Sequence, residues 1–155
     1  MDSMGKTTGL PKHLPLDHLS CFPNLTRDNH RVTSSAISAY NCVAYAAGDE
    51  TRKWDPYGHY WPPGAIRNHT IDALFSAFEA IGYSQCVGGA LEKNIEKVAL
   101  FVSKHNAYEH AAKQRKDGTW TSKLGDSFDI CHDSAFGVEG ATYGKLIYFM
   151  KREKR

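Results

Sequence analysis

The sequence predicts an α+β domain in which N-terminal helices pack on a C-terminal antiparallel sheet. Two observations carry that expectation. Helical spacing of apolar residues is confined to the first half of the chain, and short strand-like runs around a hairpin signal fill the second. Helices followed by antiparallel strands exclude a doubly wound sheet, and 155 residues fit one domain over 1–155.

The elements follow in order. Residues 1–33 read as an irregular N-terminal arm wrapping the domain, because Pro11, Pro15 and Pro23 interrupt every possible element. A short helix is expected from Asn41, which can N-cap it; Ala44, Ala46 and Ala47 favour it, and Gly48 can end it. Residues 49–69 hold Trp54, Tyr57, Tyr60 and Trp61 among turn formers and read as a loop that either walls a substrate cleft or plugs a gap. Thr70 then caps the clearest helix, whose stripe of Ile71, Leu74, Phe75, Phe78 and Ile81 stops at Gly82. Strands are expected at 98–102, 110–114, 119–123 and 145–150, the middle two joined through Asp117-Gly118.

Charge and cysteines narrow the function classes. A formal net charge of +2 argues against nucleic acid or an anionic membrane as partner. Residues 1–10 lack the apolar core of a secretory signal, and the longest apolar runs are too short to span a bilayer, so a cytoplasmic location is expected. Cys21, Cys42, Cys86 and Cys131 match neither a zinc pattern nor a secreted disulfide scaffold. Asp129, Cys131 and His132 lack further ligands at metal spacing, so neither metal nor cofactor is expected.

Cys42 is the candidate nucleophile, because it alone falls in the first turn of an expected helix, where N–H groups favour a thiolate. Its base must come from a distant part of the chain. His110 opens a strand that would hold its ring rigidly, and His132 is its strongest rival.

These segments resemble the papain-like cysteine peptidase and amidase fold, including NlpC-like and CHAP-like relatives. The similar stretches are Asn41-Cys42-Val43-Ala44-Tyr45-Ala46, Glu109-His110-Ala111-Ala112, Trp120-Thr121-Ser122-Lys123-Leu124-Gly125, and the closing strand from Tyr143 to Arg152. The chain as a whole also resembles an uncharacterised bacterial protein family. The papain-like resemblance implies a thiol hydrolase acting on a peptide, isopeptide or other amide bond, or a deamidase or acyltransferase using the same dyad. A binding domain on that fold without catalysis is the alternative. The resemblance sets Ser122 where the family has its orienting asparagine, and Ala36 near its oxyanion glutamine.

Hairpin register bears on Ser122. A two-residue Asp117-Gly118 loop turns Ser122 away from His110. A three-residue Lys116-Asp117-Gly118 loop, with Gly118 left-handed, puts both on one face. Asp126 and Asp129 are the carboxylate alternatives.

Overall fold

Strand-forming runs from both ends of the chain meet in one sheet. The computed structural model describes residues 9–35, 37–125 and 127–155. Among these, seven strands pair throughout as antiparallel neighbours, in the order β1-β6-β5-β4-β3-β7-β2. They are β1 (His30–Ser35), β2 (Ser84–Cys86), β3 (Ile95–Val102), β4 (Tyr108–Gln114), β5 (Trp120–Lys123), β6 (Phe128–His132) and β7 (Lys145–Glu153). The described helices are α1 (Leu16–Leu19), α2 (Cys42–Ala47) and α3 (Ile71–Ala80), with a 3-10 turn at Ala135–Val138. The domain is therefore α+β. Its order is not helices first, however, because β1 precedes α2 and α3 and completes one edge of the sheet.

Alternation along the central strands builds two cores. One face presents Val98, Leu100, Ala111 and Met150 to α2 and α3, where Val43, Ala44, Leu74 and Phe78 meet them. The other presents Ala99, Phe101, Ala112, Trp120 and Ile130 to Leu14, Phe22 and Leu25 of the N-terminal arm. The described part of the arm thus covers the sheet as a layer. It is less irregular than its prolines imply: α1 gives it one helical turn, and β1 begins at His30 by pairing with β6. Pairing with a distant strand supplies what local propensity does not.

The loop 49–69 sends Trp54 and Trp61 into the helix-side core, at 4% and 1% exposure. The Trp61 indole donates to the Ile66 carbonyl (2.8 Å) and stacks on Tyr108. Tyr57 stays outside. No described helix is long and apolar enough to cross a membrane.

Two local devices set the positions that matter later. Around β4 the pairing with β3 shifts between Phe101↔His110 and Val102↔Tyr108, a bulge that turns Tyr108 onto the helix side. Asn41 caps α2 by accepting from Ala44 N (3.1 Å), also accepts from Trp54 N (3.1 Å), and donates to Trp54 O (2.7 Å). One side chain therefore ties the start of α2 to the aromatic loop. Asn41→Ala should cost about 2 kcal/mol in urea unfolding, more than a plain cap. Asn41→Asp keeps the acceptors, loses the bond to Trp54 O, and should fall between.

Candidate functional site

Gly118, at φ +91°, selects the register of the β4–β5 hairpin. Arg115 N donates to Thr119 O (2.7 Å), Gly118 N donates to Arg115 O (3.0 Å), and Lys113 faces Thr121. This is the three-residue loop, so His110 and Ser122 share a face. Within the strands, β4 and β5 pair only at Lys113↔Thr121 and Gln114↔Trp120. Further along they part, and side chains bridge the opening.

The bridge is a chain of four groups. His110 Nε2 lies 2.9 Å from Ser122 Oγ, Ser122 Oγ lies 2.8 Å from His132 Nε2, and His132 Nδ1 lies 2.7 Å from the Ser134 carbonyl oxygen. Its direction follows from chemistry. A carbonyl only accepts, so His132 Nδ1 carries a proton. Burial lowers the pKa of His132 to about 4, more than the Ser134 bond raises it, so at neutral pH its Nε2 is a lone pair. Ser122 must then donate to His132 and accept from His110 Nε2–H. This leaves His110 Nδ1 as a bare lone pair.

That lone pair is buried and has no hydrogen-bond partner among the described residues. His110 itself is fully buried, and burial together with His132 lowers its pKa to about 3. Tyr143 lies flat against the ring, centroids 4.1 Å apart and planes 8° apart. Gly144, next along, has φ +75° and passes so close to the Val102 carbonyl that a Cβ would stand 2.0 Å from its oxygen. Only glycine permits that approach, which holds Tyr143 over His110.

Cys42 reaches this region from the helix layer. It is the first residue of α2, partly exposed, and the backbone N–H groups of Ala111, Val43 and Cys42 itself approach its sulfur. Its influence falls on phenols of both faces. Burial, Asp55 and Cys42 push the Tyr108 phenol upward on the helix side, while burial and Cys42 push up that of Tyr143, stacked on His110. The sulfur sits on the helix face beside Ala111, the residue that follows His110, whereas the His110 ring points to the arm-covered face with Phe101 and Ser122. No hydrogen bond joins Sγ to His110.

The expectation of a thiol made acidic by a helix start does not hold. Burial raises the Cys42 pKa and outweighs the backbone N–H groups and Lys123, which lower it. The resting pair is thus a neutral thiol and a neutral imidazole.

The carboxylate alternatives fall elsewhere. Asp129 pairs with Lys123 in register and faces away from His110, and its Oδ2 accepts from Ser34 Oγ (2.7 Å). Asp126 and Ala36 lie outside the described residues. The structure brings His110 and Ser122 together, and it adds His132 as the next link. His30 is held by neighbours of its own, accepting from Leu14 N at Nε2 and donating to Thr26 O at Nδ1.

A domain of unknown function (DUF7689) matches residues 31–151, over three-quarters of the chain. The chain belongs to the DUF7689 family. No curated protein and no solved structure matches it significantly. Within the DUF7689 match lie Cys42, His110, Ser122, His132, Ser134 and Tyr143, together with the whole of β2 to β6 and most of β1 and β7. The match omits only the covering arm and the chain end.

Both buried histidines tie stability to pH. Each binds a proton near pH 6.5 when unfolded and only near pH 3 to 4 when folded. Between those values the unfolded state holds more protons, so their contribution is complete above pH 6.5 and is lost as pH falls. The unfolding free energy should drop by up to about 2.7 kcal/mol per pH unit near pH 5, about 1.4 from each ring. Urea titrations at pH 7, 6 and 5 measure it, and His132→Gln should roughly halve the slope.

Proposed function

We propose that this DUF7689 chain is a thiol hydrolase of papain-like layout, with Cys42 as nucleophile and His110 Nδ1 as base. The observation that supports it is the directed chain through Ser122 and His132, which presents a bare imidazole lone pair beside the strand residue whose N–H approaches the Cys42 sulfur. Buried polar atoms are almost always paired; of the four described side-chain atoms that are not, His110 Nδ1 is the one on the residue next to the Cys42 sulfur's N–H partner, which is a reason to assign it a task.

In the proposed reaction the thiol turns onto Nδ1. Such contacts are commonly loose in substrate-free enzymes and tighten with substrate. As sulfur attacks the carbonyl carbon, the Sγ–H proton passes to Nδ1. The carbon–nitrogen bond breaks, and the leaving amine takes that proton. Water then attacks the thioester, giving one proton to Nδ1 and its hydroxyl to the acyl carbon, and the sulfur recovers its proton from the imidazolium. Ser122 and His132 act through His110, keeping Nε2 protonated so that Nδ1 remains the free base. The substrates that suit this chemistry are peptide, isopeptide and other amide bonds; an amine in place of water would give an acyltransferase.

Because both partners rest neutral, proton transfer accompanies attack and no ion pair waits beforehand. That separates the assisted thiol from a bare one by pH dependence. With p-nitrophenyl acetate as probe, acid quench and peptide mass mapping should place the acetyl group on Cys42, at a rate nearly flat from pH 6 to 8. His110→Ala should lower the rate by about 10²- to 10⁴-fold and make it climb with pH, as a free thiol's does. Acetylation shared evenly among the four cysteines, or a wild-type rate climbing in the same way, would favour the non-catalytic binding domain.

Ser122→Ala cuts the link that sets the His110 tautomer. It should slow Cys42 acetylation about 10-fold or more and weaken the flat pH dependence, whereas Ser122→Thr, which keeps the hydroxyl, should restore much of both. Stopped-flow acetylation across pH 6 to 8 reads the difference.

A further inference from the structure

A cleft of about 750 Å³ lies at the far end of α2, between the β4–β5 hairpin and the end of β7. Its lining includes Lys113, Arg115, Lys116, Arg152, Lys154 and Arg155, against the side-chain carboxylates of Glu96 and Asp117. A chain with a formal net charge of +2 has gathered six of its cations around one opening.

Both carboxylates are already engaged. Glu96 pairs with Arg152 (3.0 Å) and Lys113 (3.3 Å), and Asp117 accepts from the backbone and hydroxyl of Thr119. Arg115, Lys116, Lys154 and Arg155 form no ion pair with a described residue. Two arginines are also held in place: Arg152 Nη1 and Arg155 Nη2 both donate to the Ile81 carbonyl, at 2.7 and 2.6 Å. Part of the lining is apolar. Ala47, Leu91 and Ile95 form this part, and Leu91 is 52% exposed.

We propose that this cleft binds an acidic segment of another polypeptide, with carboxylates on its lysines and arginines and apolar side chains on Ala47, Leu91 and Ile95. Two features favour a peptide over single-stranded nucleic acid. No aromatic side chain lines the cleft, so a base has nothing to stack on, whereas strand-binding grooves combine positive charge with aromatic platforms. The apolar part of the lining also suits side chains better than sugar and phosphate.

Binding itself does not depend on thiol chemistry. Resting on the hydrolase reading, it also defines a substrate class. The cleft is lined by Ala47 and Gly48 at the end of the helix that begins with Cys42, six residues or about 9 Å along the axis. A polypeptide carrying an acidic stretch a few residues from its scissile bond would span both.

The test uses the full chain and a fluorescein-labelled peptide of alternating Glu and Leu, followed by anisotropy at low salt. The peptide should bind wild type and Cys42→Ser alike, and a Gln-for-Glu version should bind at least 10-fold more weakly. Lys116→Glu and Arg155→Glu change exposed side chains and should each weaken binding at least 10-fold while leaving the circular dichroism spectrum unchanged. Equal affinity for the Glu and Gln peptides, unchanged binding by both charge reversals, or displacement of the peptide by equimolar oligo(dT) would each overturn the assignment. Since Cys42→Ser is inert in catalysis by design, a failure here is separate from a failure of the hydrolase reading.

Discussion

One carbonyl oxygen orders the whole candidate site. Ser134 O can only accept, and that asymmetry passes outward through two imidazoles and a hydroxyl until it reaches His110 Nδ1. Each link has a choice in isolation: a hydroxyl rotates and a neutral imidazole has two tautomers. Fixed at one end and desolvated along its length, the chain has one low-energy arrangement. A charged ring would free it to reverse, but burial holds both histidines neutral across the physiological range. Dryness and direction are therefore the same constraint.

That chain depends on backbone features far from it. The left-handed Gly118 makes the three-residue loop, the loop sets β5 against β4, and the register turns Ser122 toward His110. The pairing of Ser122 with Ile130 then brings His132 onto the same face two residues along β6. A slip of one residue in either ladder would send a hydroxyl or a ring to the helix side. The outer strands lock those ladders, since β1 holds β6 and the arm fills the face above Ile130 and Phe101. The covering arm and the edge strand are thus part of what positions the site, although neither contributes a group to it.

Much of this was legible in the sequence where the signal is local. Asn41 and Thr70 cap the helices that their positions announce, and Gly48 and Gly118 adopt the conformations that those turns require. The hairpin itself was readable, and its register reduced to two choices by the position of glycine. What local signals do not encode is pairing across distance. β1 lies in a proline-broken arm and β6 follows directly on a turn, and each is stabilised chiefly by the other. The run Phe128-Asp129-Ile130-Cys131-His132 does alternate, with Phe128, Ile130 and His132 on one side, and that period would have placed β6. Without β6, His132 stood as a rival to His110, when the fold makes the two successive members of one chain. The acidity expected of Cys42 failed for a related reason: a helix start is visible in sequence, whereas the burial that outweighs it arises only when α2 closes on the sheet.

For the proposed hydrolase, a neutral resting pair reconciles reactivity with stability. A preformed thiolate and imidazolium would place two charges in the apolar interior, where desolvation costs more than their attraction returns unless many further hydrogen bonds assist. Here the groups around them are largely phenols, aliphatic side chains and backbone. Holding the proton on sulfur avoids that cost in the folded ground state. In the proposed reaction charge develops only while a carbonyl is being attacked, when the backbone N–H groups near the sulfur and the Ser122–His132 chain behind the imidazole can respond to it. On the proposed mechanism the bare Nδ1 is strain of an electrostatic kind: a buried acceptor left unpaired in the resting fold and matched by the proton that would move during reaction.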